Sequence, residues 1–273
     1  MKQKQHKFYK VRLTLIACSL LILLLAELIY SEDWPAQMFI SNIELQNLFQ
    51  SNSSKMYMID VRDQQKYNLI KIPASINMPL HTIKTKTFLK NKPIVLINSG
   101  FAYKRLISEC QILSQKGFQS VHILKGGLNA WYRSGNRIDS NAFSLDDIFS
   151  ITPVALYEDI EYKDIIIYEI HEKEITGQSI IPNAVCMMYH KNMADDLIQE
   201  ISKLESEPLY IVVACDNARW HKEIEKGLRE SIKSPFFFLK GGLRNYETFI
   251  KNQQAMWKYE HVIQTKKECG ACN

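Results

Sequence analysis

The sequence predicts an α/β protein: two doubly wound parallel-sheet domains that follow an N-terminal transmembrane helix. Three observations predict it. A basic tip runs into a long apolar segment, short Ile/Val-rich runs alternate with amphipathic helical stretches, and one glycine-containing motif occurs twice, about a domain length apart. The 273 residues are 46% apolar and 23% charged, the balance of an ordinary globular chain, which excludes disorder throughout. Strand–helix alternation implies a parallel sheet covered on both faces, with ligands beyond the carboxyl ends of the strands.

The N-terminal element comes first. Residues 1–12 hold Lys2, Lys4, Lys7, Lys10 and Arg12 and no acid, so the net charge of +5 resides in this tip. The remaining chain balances its bases and acids, which argues against a generally basic nucleic-acid-binding surface and against a nucleic-acid partner. Residues 13–30, LTLIACSLLILLLAELIY, carry Glu27 as their single charge, and as a helix they span about 27 Å, close to the bilayer hydrocarbon. No base reappears until Lys55. That step is the positive-inside pattern of a single-pass anchor in the inner (cytoplasmic) membrane, with the domains facing the periplasm or cell exterior. A cleaved signal peptide and a lipoprotein signal at Cys18 are the competing readings.

The body of the chain repeats itself. Leu124-Lys125-Gly126-Gly127-Leu128 recurs as Leu239-Lys240-Gly241-Gly242-Leu243, followed at the same spacing by Trp131 and Tyr246. Ile94-Val95-Leu96-Ile97 matches Ile211-Val212-Val213-Ala214, and Met58-Ile59-Asp60-Val61-Arg62 matches Ile167-Tyr168-Glu169-Ile170-His171 at an offset of 109, which also relates Pro73 to Pro182. Ser41 and Glu44 form a capping box opening the first copy, and Thr152 followed by Pro153 opens the second as N-cap and first helical residue. Ala102, Leu106, Cys110 and Leu113 share one helical face. Such a period means duplicated domains, at 36–138 and 150–260, joined by a polar linker over 134–147 and followed by a tail at 261–273. Residues 35–140 hold 14 bases against 5 acids and residues 141–262 hold 13 against 20, so the copies can dock by charge complementarity.

These motifs resemble the rhodanese-like family. The strand motif Asp60-Val61-Arg62 and the closing Leu124–Trp131 carry the likeness in the first copy. In the second, Glu169 and His171 replace the Asp and Arg, and the proline turn is degenerate in both copies. The resemblance implies a small doubly wound domain used twice. It also implies sulfur transfer through a cysteine persulfide, from a small anionic donor such as thiosulfate to a thiol acceptor protein or small thiol, with no cofactor.

Read residue by residue, the resemblance puts Asn98 at the catalytic position of the first copy, where a carboxamide is no nucleophile. It puts Cys215 there in the second, followed by a substrate-binding loop of Asp216, Asn217, Ala218, Arg219, Trp220 and Lys222. A Cys between a strand end and a helix N-terminus sees backbone N–H groups that stabilise thiolate and persulfide. Arg219 and Lys222 would add positive charge, whereas Asp216 opposes the thiolate.

The remaining thiols and imidazoles are read separately. Cys269 and Cys272 end the chain in a CxxC spacing, a candidate redox dithiol able to exchange with Cys215. Cys110 is expected in the core and Cys186 in a buried strand. His171 is expected to partner Glu169, and no metal site is predicted. Lys104 and Arg105 can make the Asn98 loop an anion-binding surface. The alternatives to an enzyme acting through Cys215 are a catalytically degenerate rhodanese-like binding or scaffold module and a thiol-redox protein using Cys269 and Cys272.

Overall fold

The structure, a computed structural model, describes residues 36–50, 56–140, 142–161, 164–174, 177–216 and 218–269. The expected anchor at 13–30, the basic tip, Cys18, Asn217 and Cys272 lie outside the described residues, as does the side chain of Cys269. Among the described residues no helix is long and apolar enough to cross a membrane. From Gln37 onward the chain forms one compact unit.

That unit contains two five-stranded parallel sheets. The first is built from β1 (Phe39–Ile40), β2 (Tyr57–Asp60), β4 (Ile76–Asn77), β5 (Ile94–Ile97) and β6 (Val121–Leu124), in the order β1-β6-β5-β2-β4. The second uses β8 (Ser150–Ile151), β9 (Ile165–His171), β10 (Val185–Met188), β11 (Tyr210–Cys215) and β12 (Phe236–Leu239). Read from the same end its order is β8-β12-β11-β9-β10, so the repeat seen in sequence is a repeat of topology. All four residues of β5 and all six of β11 are buried. These central strands therefore read as continuous apolar runs rather than alternating ones. Each fully buried Ile or Val side chain contributes roughly 1.5–3 kcal/mol.

The helices start where the sequence signals them. At α1 (Asn42–Gln50) the Glu44 amide donates to Ser41 Oγ at 3.2 Å and the Ser41 amide donates to Glu44 Oε2 at 2.8 Å, a complete capping box. Next come α2 (Gln64–Leu69) and α3 (Leu80–Ile83), then α4 (Tyr103–Gln115), which buries Tyr103, Leu106, Cys110 and Leu113. Ala102, expected on that face, is instead the left-handed residue before the helix, and Tyr103 takes its place in the core. After α5 (Gly127–Arg133), α6 (Pro153–Asp159) begins with Thr152 Oγ1 accepting from the Ala155 amide at 3.3 Å. The second copy continues with α7 (Met193–Ser202), α8 (His221–Ser231) and α9 (Gly242–Cys269), the last running on into the expected tail.

The stretch expected as a polar linker is tied down. Trp131 Nε1 donates to the Arg137 carbonyl at 2.9 Å. β7 (Asp139–Ser140) pairs antiparallel with β3 (Ile70–Lys71), and Ile148 and Phe149 are buried. Apolar residues at the end of a polar run carry this segment back into the core.

The copies dock chiefly through buried groups. Phe101 meets Phe237 edge-on at 5.1 Å, and Asn129 Nδ2 donates to the Ile148 and Phe236 carbonyls at 3.0 and 3.1 Å. The Arg133 guanidinium lies 4.7 Å from the Phe236 ring centroid and donates to the Ile232 and Ser234 carbonyls. Asp159 of the second copy accepts from the Ala102 and Tyr103 amides at the start of α4 in the first, at 2.6 and 3.2 Å, and from Tyr210 Oη at 2.9 Å. Complementary pairs are present, Lys104–Glu161 at 3.3 Å and Lys125–Glu207 at 3.5 Å, but they are exposed and add little beside the buried contacts.

Candidate active site

Each sheet ends its central strand against a glycine pair, and the reason is steric. Gly127 and Gly242 have φ of +50° and +64°, where an L side chain is strained. A Cβ on Gly127 would sit 2.6 Å from the Asn98 carbonyl oxygen, and one on Gly242 would collide with the Cys215 carbonyl. The Leu128 amide donates to that Asn98 carbonyl at 2.9 Å. The repeated Gly-Gly thus lets a helix start lie directly on the residue just after β5, Asn98, and on the last residue of β11, Cys215.

In the first copy that residue builds its own loop. Asn98 Oδ1 accepts from the Gly100 amide at 2.9 Å, and Asn98 Nδ2 donates to the Phe101 carbonyl. The carboxamide is spent on backbone and offers no nucleophile. Bases outnumber acids around it: Arg62, Lys66 and Arg105 line a cavity with Asp63, Asn98 and Ser99, and Arg62, Lys66 and Lys240 line an adjoining one with Asp147, Ser99 and Phe101, although Arg62, Lys66 and Lys240 are each paired with an acid. Lys104, also expected there, is paired with Glu161.

In the second copy Cys215 ends β11 and is 0% exposed, packed in the same apolar cluster as Ile170, Met193 and Trp220. Burial first, and the neighbouring Asp216 carboxylate second, push its thiol up to about 12. The described residues beyond it have partners of their own. Asp216 Oδ2 accepts from the Glu172 amide at 2.9 Å, and its Oδ1 lies 3.4 Å from His171 Nδ1. Ala218–Trp220 form a 3-10 turn leading into α8, and Trp220 is buried, stacked on Tyr189 at 4.0 Å between ring centroids. Arg219, expected to supply positive charge, pairs with Glu172 at 3.0 Å. Lys222 lines a different cavity with Asp146, Asp147 and Glu225. The cleft beside Asp216 is lined by Glu172, Glu174, Glu247 and Asp216 against Lys173 and Arg244. Acids therefore outnumber bases at the cleft beside Asp216, and bases outnumber acids in the cavities beside Asn98.

The partners of the strand motif differ between copies in an orderly way. In the first, Asp60 is fully buried and paired with Arg62 through Nη2 at 2.6 Å, and the guanidinium also donates to the Ile70 carbonyl at 2.6 Å. In the second, His171 Nε2 lies 3.0 Å from Glu169 Oε2, as the sequence led us to expect, and Glu169 also accepts from the Ile180 and Ile181 amides. Cys110 is buried, as expected, but Cys186 is not. It sits on β10, an edge strand with Val185 and Met188 exposed beside it, and its Sγ lies 3.7 Å from Glu169 Oε2. An apolar run on an edge strand has no covering layer, which is why a buried strand was the wrong expectation.

Sequence reasoning missed two groups. Asp159 stands at the end of a helix with nothing local to mark it. Cys186 was traceable, because the offset of 109 that relates Pro73 to Pro182 also relates Asn77 to Cys186.

The first copy has recognisable relatives among known proteins. Residues 41–134 match the model of the rhodanese-like domain, and this matched copy is the one bearing Asn98. A stretch of 121 residues is 27% identical to the adenylyltransferase and sulfurtransferase MOCS3 of Arabidopsis thaliana, covering 37% of this chain and 25% of that protein. Among solved structures, a rhodanese-like domain from Anabaena sp. is 23% identical, with 40% of this chain and 83% of that one covered and a TM-score of 0.35. Thiosulfate sulfurtransferase from Pseudomonas aeruginosa is 15% identical, with 74% of this chain and 40% of that one covered and a TM-score of 0.33. With its Asp60–Arg62 pair, its parallel sheet and its Gly-Gly turn against the end of β5, residues 41–134 form a rhodanese-like domain.

Proposed function

We propose that the chain is a tandem rhodanese-like sulfurtransferase in which the second copy carries sulfane sulfur on Cys215 and the first is non-catalytic. The observation that carries this reading is the position of Cys215 at the carboxyl end of the central strand β11, packed under Gly242 as Asn98 is under Gly127. The chemistry is an exchange. The Cys215 thiolate attacks the outer sulfur of thiosulfate, a sulfur–sulfur bond forms, and the inner S–S bond breaks with sulfite leaving as the dianion. A thiolate acceptor or cyanide then takes the outer sulfur and regenerates the Cys215 thiolate. Because the resting thiol is buried and protonated, reaction requires the groups packed over it to move. The acidic cleft makes thiosulfate a slow donor and favours one that is less anionic, such as a thiol persulfide. The same reading keeps residues 13–30 as a membrane anchor, with the sulfur chemistry in the periplasm or outside the cell. Alkaline extraction of membranes should leave the chain in the pellet.

A second reading rests on that same closed thiol. With Cys215 fully buried and Asp216 beside it, the second copy is a degenerate module that binds a partner without transferring sulfur. Intact mass after incubation with thiosulfate or a low-molecular-weight persulfide separates the two. The enzyme reading expects one added sulfur that is lost in Cys215→Ser, and the module reading expects none.

A further inference from the structure

The two copies provide an internal comparison at the end of the β2/β9 strand. Asp60 pairs in register with Asn77 of β4, and Glu169 pairs in register with Cys186 of β10. Three positions therefore correspond: Asp60 with Glu169, Arg62 with His171, and Asn77 with Cys186. In the first copy the buried carboxylate is neutralised by a fixed cation, the Arg62 guanidinium, while Asn77 Nδ2 donates to the Asp60 and Arg62 carbonyls at 3.0 and 2.8 Å. In the second copy the carboxylate is equally buried, but the guanidinium is gone and every one of the three positions holds a group that can ligate a metal.

We propose that the second copy replaces the guanidinium with a divalent transition-metal ion, zinc by ligand chemistry, held by Glu169 Oε2, His171 Nε2 and Cys186 Sγ. These atoms lie within 4.8 Å of one another, with Nε2 3.0 Å and Sγ 3.7 Å from Oε2. Ligand atoms around tetrahedral zinc stand about 3.3–3.8 Å apart, so small side-chain shifts close the site. The surroundings suit it. The Ile180 and Ile181 amides orient the Glu169 carboxylate. His171 Nδ1 faces Asp216 Oδ1 at 3.4 Å, the carboxylate–imidazole–metal arrangement that fixes the ring with Nε2 toward the ion. Thiolate, imidazole and carboxylate together select zinc-like ions over magnesium or calcium. Cys186 is exposed, so the fourth position is open to water. Binding releases the Cys186 proton to solvent and leaves the oxidation states unchanged.

The site is independent of sulfur transfer, so its test does not depend on Cys215. The full-length chain carrying Cys269→Ser and Cys272→Ser, which removes the other cysteine pair, is titrated with cobalt(II) as a spectroscopic substitute for zinc. The expected result is one equivalent bound, with a near-ultraviolet thiolate-to-cobalt band and visible bands of a four-coordinate ion, all displaced by zinc. Cys186→Ser in that background should lose the thiolate band, and Cys215→Ser should keep it. The pair His171→Arg with Cys186→Asn rebuilds the first copy's arrangement, and it should fold and bind no cobalt. A thiolate band that survives Cys186→Ser, or no band in the parent with the fold intact by circular dichroism, overturns the proposal and leaves His171 as a hydrogen-bond partner of Glu169 alone.

Discussion

Replacing Asp159 by Ala tests how the two copies are held together. The carboxylate accepts from the Ala102 amide, the Tyr103 amide and Tyr210 Oη, and Tyr103 and Tyr210 are fully buried. Ala removes the one acceptor that these donors share inside the fold, at about 1–3 kcal/mol for each buried hydrogen bond lost. Part of this is offset, because burial raises the carboxyl pKa above 3.8 despite those hydrogen bonds, and that desolvation strain disappears with the group. The net expectation is a loss of about 2–4 kcal/mol, read as a shift of the urea midpoint by tryptophan fluorescence. Asp159→Asn keeps an acceptor for the amides, and the Tyr210 hydroxyl can reverse its role, so it should lose about 1 kcal/mol or less at neutral pH. The pH dependence has a definite sign. A carboxyl whose folded pKa is raised binds its proton more tightly folded than unfolded, so its contribution to stability falls as pH rises from 3.8 through the raised value. Asn lacks that slope, so the stability of the wild type relative to Asp159→Asn should decline over that window. An Ala variant within about 0.5 kcal/mol of wild type, or a flat Asp-minus-Asn difference across pH, would refute the clamp.

Three further outcomes follow from the site. Gly242→Ala places a methyl group against the Cys215 carbonyl at positive φ, so it should destabilise by about 1–3 kcal/mol and slow any sulfur transfer, whereas Gly135→Ala, with open space around it, should show only the smaller backbone strain; a urea titration compares them. With its thiol pushed up to about 12, Cys215 should be alkylated at pH 8 about a thousandfold more slowly in the native chain than in urea, while the exposed Cys186 reacts ahead of it; peptide mapping with timed iodoacetamide reads this directly, and early labelling of Cys215 would contradict the closed site. Because the cleft beside Asp216 is acidic, any reaction with thiosulfate should speed up as salt rises from about 10 to 150 mM, and a rate that falls with salt would mean that the donor enters along a basic path instead.

Much of the fold could be read in the sequence because it is written in local signals. The capping box at Ser41 and Glu44, the Thr152-Pro153 start and the Gly-Gly turns each encode a backbone geometry in the residues that adopt it. The repeat offsets placed Asn98 and Cys215 at equivalent strand ends for the same reason. What escaped the sequence is nonlocal. Asp159 acts on amides 56 and 57 residues away, and no pattern near it announces this. Arg219 looked available to an anionic donor until the fold set it against Glu172. The charge split between the copies was visible in the sequence, but exposed pairs such as Lys104–Glu161 only decorate an interface that Phe101, Asn129 and Arg133 hold. Cys186 was misplaced because strand burial depends on which strand is the edge, and strand order is a property of the whole sheet.

The central claim is that Cys215 accepts sulfane sulfur, and intact mass spectrometry tests it most directly. The full-length chain is incubated with thiosulfate and separately with a low-molecular-weight persulfide, then measured before and after cyanide. The account predicts one added sulfur, about 32 Da, mapped to Cys215, removed by cyanide as thiocyanate and absent from Cys215→Ser. An unmodified Cys215 with both donors, under conditions where its thiol is open to alkylation, would contradict it.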